Sequence, residues 1–380
     1  MNVKPTKAMM QTEAKKKVSN NEQIKELEDS LSKTKYNKRT QHHFGLVKAK
    51  IARLKEAGEQ RKKGGPKFDG FAVKKNGDAS VVLVGFPSVG KSTLLNSLTN
   101  ANSKVAAYEF TTLDVVPGLM EYKGAKIQIL DVPGILKGAA AGTGRGKEVI
   151  SIMRNADLLL VIIEASNLKQ LDVLKKEIYD ANIRINQKKP DVKIVKTTKG
   201  GIDLGTTVKM NHLDRETIVD MLKEFKIINA AIVIREDIDA DQLIDIVEPN
   251  RVYAPAAVVV NKMDIVSESE LKRIESEIHP DLFISGESRI NIDKLKDLIY
   301  DKLTFMRVYT KEVRKEADMT EPLIMRKGAT IGDVCRKLHK DFVNKFKFAR
   351  VWGSSKFPGQ DIRKLEYILK DNDILEIHLK

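Results

Sequence analysis

The segment Gly85–Ser92 reads GFPSVGKS, two glycines five positions apart with a lysine and a serine directly behind the second. An apolar run precedes it and a helical pattern, Ser92–Leu98, follows. In that setting G-x-x-x-x-G-K-[ST] is chemistry for holding a phosphate chain. Glycine lets backbone N–H groups turn inward, and the helix start adds its positive dipole end. Lys91 reaches toward the terminal phosphates, and the Ser92 hydroxyl is a ligand for Mg²⁺. The expected contact stretch is Gly85, Phe86, Pro87, Ser88, Val89, Gly90, Lys91, Ser92 and Thr93.

Three further segments fit the same chemistry in chain order. AAYEFTTLDVVPG (Ala106–Gly118) sets Phe110, Thr111 and Thr112 about twenty residues beyond Lys91. A threonine there can complete a Mg²⁺ shell through its hydroxyl and sense a terminal phosphate through its N–H, and spacing does not separate Thr111 from Thr112. DVPG (Asp131, Val132, Pro133, Gly134) supplies a carboxylate for the second shell of the metal and a glycine N–H for the terminal phosphate. VVVNKMD (Val258–Asp264) decides the base. Asp264 can accept from the N1–H and N2–H₂ donors of guanine, a pair that adenine lacks, while Asn261 faces O6/N7 and the Lys262 stem lies over the ring, with Met263 between them. FISGES (Phe283–Ser288) ends another strand and brings the backbone N–H groups of Ser285, Gly286 and Glu287 to the base oxygen.

One position breaks the pattern. After Gly134, where many small nucleotide hydrolases keep a glutamine that aims the attacking water, the chain has Ile135. Phosphoryl transfer rests mainly on positioning and charge neutralisation, so this loss slows hydrolysis without abolishing it. The loop that follows, Gly138–Glu148, holds four glycines in eleven residues and suits a segment that changes shape on hydrolysis. Arg145 within it is a candidate stabiliser of the developing charge.

Positioning these segments requires a parallel sheet. SVVLVGF, KIQILDV, DLLLVIIEAS and APAAVVVNKMD are short, nearly continuous apolar runs separated by helical patterns such as Lys169–Tyr179, as strands buried on both faces read. Asp131 and Asn261 lie 130 residues apart, a spacing that implies an insertion of mixed α and β over residues 182–248. Within it, Asp214–Phe225 and Ala240–Val247 read as helices. The predicted division is a basic N-terminal helical region (1–67), an α/β domain (68–305) carrying the insertion, and a small α+β domain (306–380).

Charge falls on the ends. Of a net +15, residues 1–67 carry +11 and residues 306–380 carry +6, leaving the middle at −2. Basic ends around a near-neutral middle point to a polyanionic partner. In the N-terminal region Val47, Ile51 and Leu54 form an apolar face, and Lys48, Lys50, Arg53 and Lys55 a basic one. Glu59–Gly70 reads as a linker. Aromatics are sparse in both ends, and Phe44, Phe346, Phe348 and Trp352 are assigned to cores. A single cysteine, Cys335, excludes an internal disulfide, and no apolar run approaches the ~18 residues needed to span a bilayer. A cytoplasmic setting is the default, and adjacent His42 and His43 make a poor metal pair on a helix.

HHFGLVKAKIARLK, GFPSVGKSTLLN, VAAYEFTTL, YKGAKIQILDVPGI, GRGKEVI, NRVYAPAAVVVNKMD and FKFARVWG together resemble, in order, segments of the developmentally regulated GTP-binding protein (DRG) subfamily of Obg-related GTPases. The resemblance covers almost the whole chain. It implies a helical N-terminal region, a GTPase domain interrupted by an insertion, a C-terminal TGS domain of β-grasp type, and Thr112 as the metal-side threonine. Lys91, Thr112 and Gly134 are then the catalytic candidates, and Ser92 and Thr112 the Mg²⁺ ligands. It further implies a translation-associated role with ribosomes or RNA as the large partner and a dedicated stabilising protein. Two departures stand out. Ser285-Gly286-Glu287 replaces the usual Ser-Ala-x, and Ser88 stands where some related GTPases carry an asparagine that helps hold K⁺, which weakens the case for that ion. Two readings follow: a slow GTPase switch reset by hydrolysis, or a nucleotide-gated binding module in which hydrolysis is incidental.

Overall fold

A computed structural model describes residues 20, 22–62, 77–99, 116–132, 146–248 and 250–380. The chain forms two compact units, one of Met1–Asp69 with Lys188–Tyr253, the other of Gly70–Gln187 with Ala254–Lys380. No helix among the described residues is long and apolar enough to cross a membrane.

In the first unit, helical residues 22–33 (α1) and a long helix α2 (Gln41–Lys62) precede a three-stranded sheet. Its strands β6 (Val192–Lys196) and β7 (Ile202–Thr206) flank β8 (Ala230–Ile234), with helices α6 (Arg215–Glu224) and α7 (Ala240–Val247). Asp214 caps α6 and a reciprocal Asp239–Gln242 pair caps α7, satisfying N–H groups that a helix start leaves open. Helix α2 meets this subdomain on small residues. Ala49 is fully buried among Ile218, Met221, Leu222 and Leu243, and a methyl group on Gly45 would come within 2.9 Å of Thr217 Cγ2. The apolar face read as Val47, Ile51 and Leu54 is one side of a helix that also buries this small-residue side. Its basic residues are largely neutralised within the unit: Lys48 pairs with Asp241 at 2.6 Å, Arg53 with Glu224 at 3.0 Å and Lys55 with Glu28 at 3.0 Å. The expected linker is helical at its start, because α2 continues through Glu59–Lys62; residues 63–70 lie outside the described residues.

The second unit is built on a six-stranded sheet: β1 (Ala79–Val84), β2 (Val116–Tyr122), β3 (Ala125–Asp131), β4 (Leu158–Glu164), β10 (Ala256–Asn261) and β11 (Leu282–Phe283). Their spatial order is β11-β10-β4-β1-β3-β2, parallel except for the antiparallel edge strand β2. Helices α3 (Lys91–Leu98) and α9 (Ile292–Lys302) cover one face through Leu94, Leu95, Leu295 and Ile299. Helices α4 (Gly146–Asn155), α5 (Lys169–Asp180) and α8 (Glu268–Ile278) cover the other through Met153, Leu174 and Ile274. Coverage on both faces explains the unbroken apolar runs. β5 (Ile183–Ile185) and β9 (Val252–Ala254) lie where the chain leaves and re-enters this unit.

The C-terminal part is a five-stranded mixed sheet of order β13-β12-β16-β14-β15, crossed by α10 (Ile331–Leu338) and followed by the short α11 (Lys340–Lys345). Its strands are β12 (Phe305–Lys311), β13 (Leu323–Arg326), β14 (Phe346–Trp352), β15 (Gln360–Ile362) and β16 (Asp373–Leu379), a β-grasp arrangement with β12 and β16 parallel at the centre. Two ion pairs fasten it to the larger sheet, Arg326–Asp157 at 2.7 Å and Lys337–Asp78 at 3.0 Å. Both carboxylates directly precede strands, so the attachment is at the strand N-terminal edge. Phe346 packs on the core, but Phe348 and Trp352 do not belong to it. Ala349 and Val351 face the core, so alternation turns Phe348 and Trp352 to the other face, and a register shift between Phe346 and Phe348 separates Phe346 from them. On that outer face Phe348 stacks on His378 at 4.2 Å and Trp352 lies under the Lys311 ammonium.

Candidate functional site

The C-terminal ends of β1, β3, β4, β10 and β11 open on one edge of the sheet, and the loops leaving them carry most of the sequence-selected residues. After β1, the turn Gly85–Gly90 is shaped by two backbone constraints. Gly90, the residue before α3, sits at φ 91°, and a methyl there would lie 2.5 Å from Asn261 Nδ2. A methyl on Gly85 would lie 2.6 Å from the Ile162 carbonyl. Pro87 and Ser88 are exposed, and Ser88 holds φ 65°, a left-handed geometry uncommon for a non-glycine residue. Val89 is buried under the turn.

Lys91 opens α3 from a buried position, 8% exposed, with Nζ donating to the carbonyls of Gly85 (3.2 Å) and Phe86 (3.0 Å). Burial pushes its pKa down, opposed by the nearby Asp131 carboxylate. Ser92 Oγ donates to Asp131 Oδ2 at 2.6 Å, joining the helix start to the end of β3. A hydroxyl and a carboxylate converging there form a hard oxygen set suited to Mg²⁺. Val132 is buried behind Asp131, and Thr93 is exposed on α3. Phe110, Thr111, Thr112, Pro133, Gly134, Ile135 and Arg145 lie outside the described residues.

The base-side loops are tied together by Asn261, 3% exposed. Its Nδ2 donates to the Val89 carbonyl at 2.8 Å, and its Oδ1 accepts from Gly286 N at 3.0 Å. One amide thus joins the phosphate turn, β10 and the loop after β11. The oxygen and one N–H being engaged, the second Nδ2–H remains for a ligand atom, which narrows the O6/N7 contact expected of this residue. Lys262 follows at φ 62°, with Nζ 3.0 Å from Glu164 Oε1, and Met263 N donates to the Ile284 carbonyl at 3.0 Å. Asp264 is exposed, and hydrogen bonding from the Ser285 side chain, joined by Ser288 Oγ at 3.0 Å, holds its carboxyl below the usual range. Ser285 is buried, Gly286 packs near Leu94, and Glu287 is exposed.

Three side chains take part that the motifs give no role, although Ser288 and Glu164 lie within segments quoted above. Ser97 Oγ on α3 donates to the Gly286 carbonyl at 2.9 Å; Ser288 holds Asp264; Glu164 holds Lys262. Glu164 carries a signal, a carboxylate ending the otherwise apolar strand LLLVIIE. Ser97 carries none, being one more polar residue on a helix.

Comparison with known proteins agrees with this arrangement. Residues 80–197 match the family model described as 50S ribosome-binding GTPase, residues 199–305 that of the C-terminal region of the MMR_HSR1 domain, and residues 306–379 that of the TGS domain. The chain is 53% identical to an uncharacterized GTP-binding protein of Methanocaldococcus jannaschii over 94% of its own length and 93% of the relative's. It is 43% identical to developmentally-regulated G-protein 3 of Arabidopsis thaliana and 40% identical to developmentally-regulated GTP-binding protein 2 of Homo sapiens, covering 94% of this chain and 98% of each relative.

Proposed function

The chain belongs to the developmentally regulated GTP-binding protein family of Obg-related GTPases, and from that premise we propose a slow, Mg²⁺-dependent GTP hydrolase working as a switch on the translation machinery. The observation that carries the guanine assignment is the Asn261 bridge, which draws the phosphate turn and the Asp264 loop onto one crevice. Asp264, ionised and steadied by two serines, accepts the paired donors of guanine. Lys91 trades its carbonyl contacts for the β- and γ-phosphates. Ser92 and Thr112 would hold the metal, with Asp131 behind Ser92, and a bound Mg²⁺ there would supply positive charge against the phosphates. Gly134 N–H meets the terminal phosphate. Ile135 offers no hydrogen bond to water, so water orientation comes from outside this side chain, through a monovalent cation, a partner protein or the ribosome. With Ser88 in the phosphate turn, K⁺ is the weakest of those three.

The proposed large partner is the ribosome or RNA, supported by the basic ends and by the description of the matched GTPase family model. Turnover measured in sodium and in potassium, with and without ribosomes, tests the reading. Slow turnover in sodium, rising with ribosomes, is expected; a fast unassisted rate in sodium overturns it. The second reading, a binding module gated by nucleotide with incidental hydrolysis, is separated by a variant that binds GTP without cleaving it. Trapping of that variant on ribosomes favours the switch, and unaltered cycling favours the module.

A further inference from the structure

Not all positive charge on the N-terminal unit is available to a partner. On α2, Lys48, Arg53 and Lys55 are each paired with a carboxylate of the same unit. The last residue of α1 and the turn that joins it to α2 differ. Over Lys33–Arg39 (KTKYNKR) they place Lys33, Lys35, Lys38 and Arg39 in exposed positions, and none of the four forms an ion pair with a described residue. Four cations in seven residues stand unneutralised.

The turn is also pre-shaped. Asn37 Oδ1 accepts from the backbone N–H of Arg39 (2.9 Å) and Thr40 (3.0 Å), and Thr40 Oγ1 donates to the Lys35 carbonyl at 2.9 Å. These bonds close the loop on itself, so little conformational freedom is left to lose on binding. At its centre Tyr36 is 62% exposed, braced edge-on by Phe44 at 5.3 Å and 88°. An exposed ring flanked by unpaired cations offers a stacking surface for an unstacked base and charge for the phosphates on either side.

We infer that this α1–α2 turn is an RNA-contacting element, Lys33, Lys35, Lys38 and Arg39 meeting backbone phosphates and Tyr36 stacking on a single-stranded base. The assignment deepens the partner reading above by locating it, and selects RNA because an exposed ring set between unpaired cations on a pre-shaped turn matches the alternation of base and phosphate along a single strand.

The test uses the full chain and a fluorescein-labelled 20-nucleotide single-stranded RNA, read by anisotropy from 50 to 300 mM KCl. The variant K33Q/K35Q/K38Q/R39Q keeps Asn37 and Thr40; K345Q/K347Q/K364Q/K370Q removes equal charge from exposed positions of the C-terminal domain. The turn variant is expected to bind at least tenfold more weakly near 100 mM salt, with its log–log salt slope reduced by about 3, since each single-strand phosphate contact contributes about 0.7. The control variant should retain most affinity and slope. Tyr36→Ala should weaken the single strand about fivefold or more and leave a duplex of the same sequence unchanged. Labelled GDP affinity, read in the same samples, reports separately on the nucleotide site. Wild-type affinity in the turn variant, Tyr36→Ala equal on both RNAs, or wild-type binding to anionic phosphatidylserine vesicles but not to RNA would each overturn the inference.

Discussion

The proposed guanine side and the proposed phosphate side of the crevice are held by different kinds of bond. On the guanine side, side chains from four elements cross-link one another: Asn261 to Val89 and Gly286, Ser97 to Gly286, Ser288 to Asp264, Glu164 to Lys262. On the phosphate side, shape comes from backbone geometry at Gly85 and Gly90, and one buried ammonium rests on two carbonyls. A network shares its losses among neighbours, whereas a backbone cradle with one charge concentrates them. Base recognition should therefore degrade in steps, and phosphate recognition all at once.

Lys91→Ala should give the largest loss, about 10²-fold or more in GTP and GDP affinity by fluorescence titration, because one charge-assisted set of contacts disappears entirely. A loss under tenfold would mean the backbone turn alone grips phosphate. Asp264→Asn should cost about 10²-fold for guanine nucleotides and confer binding to xanthosine diphosphate, whose C2 carbonyl accepts where the guanine amino group donates. Competition titrations with both nucleotides decide it, and equal loss for both would place Asp264 outside base recognition. Asn261→Ala strands two buried backbone groups and should lower stability by about 2–4 kcal/mol, seen in denaturant unfolding, together with about tenfold in affinity for both nucleotides. An effect on one side only would deny its bridging part.

Ser288→Ala should be mildest, about two- to fivefold in guanine affinity. It also sharpens a pH prediction. The folded-state Asp264 carboxyl is held below its usual pKa by Ser285 first and Ser288 after it, so its ionised form is present throughout the ordinary carboxylate range and lost only as pH falls beneath it. Guanine affinity should stay level through that range and drop below it; in Ser288→Ala the drop should begin at higher pH.

The sheet was legible because its central strands are buried on both faces, which leaves nothing but apolar residues to read in Leu158–Ile163. The phosphate turn and the Asn261–Asp264 loop could be placed at one sheet edge because each motif has fixed residue types at fixed spacing, while the threonine and Gly134 segments lie outside the described residues. Less visible was the seating of α2. Gly45 and Ala49 make the close contact, and small residues do not register in a search for apolar periodicity. The outer-face position of Phe348 and Trp352 has a different origin: Phe346 shares their parity, and only the register shift between Phe346 and Phe348, which has no mark in the sequence, puts them on opposite faces. The paired state of Lys48, Arg53 and Lys55 was hidden because two of their partners lie more than 170 residues away.

The ion pairs Arg326–Asp157 and Lys337–Asp78 have a mechanical meaning. They grip the larger sheet at the strand starts, and a six-residue strand runs about 20 Å to its other end. If the crevice changes shape on hydrolysis, as proposed, the β-grasp domain stands about 20 Å from that change, at the opposite ends of the strands.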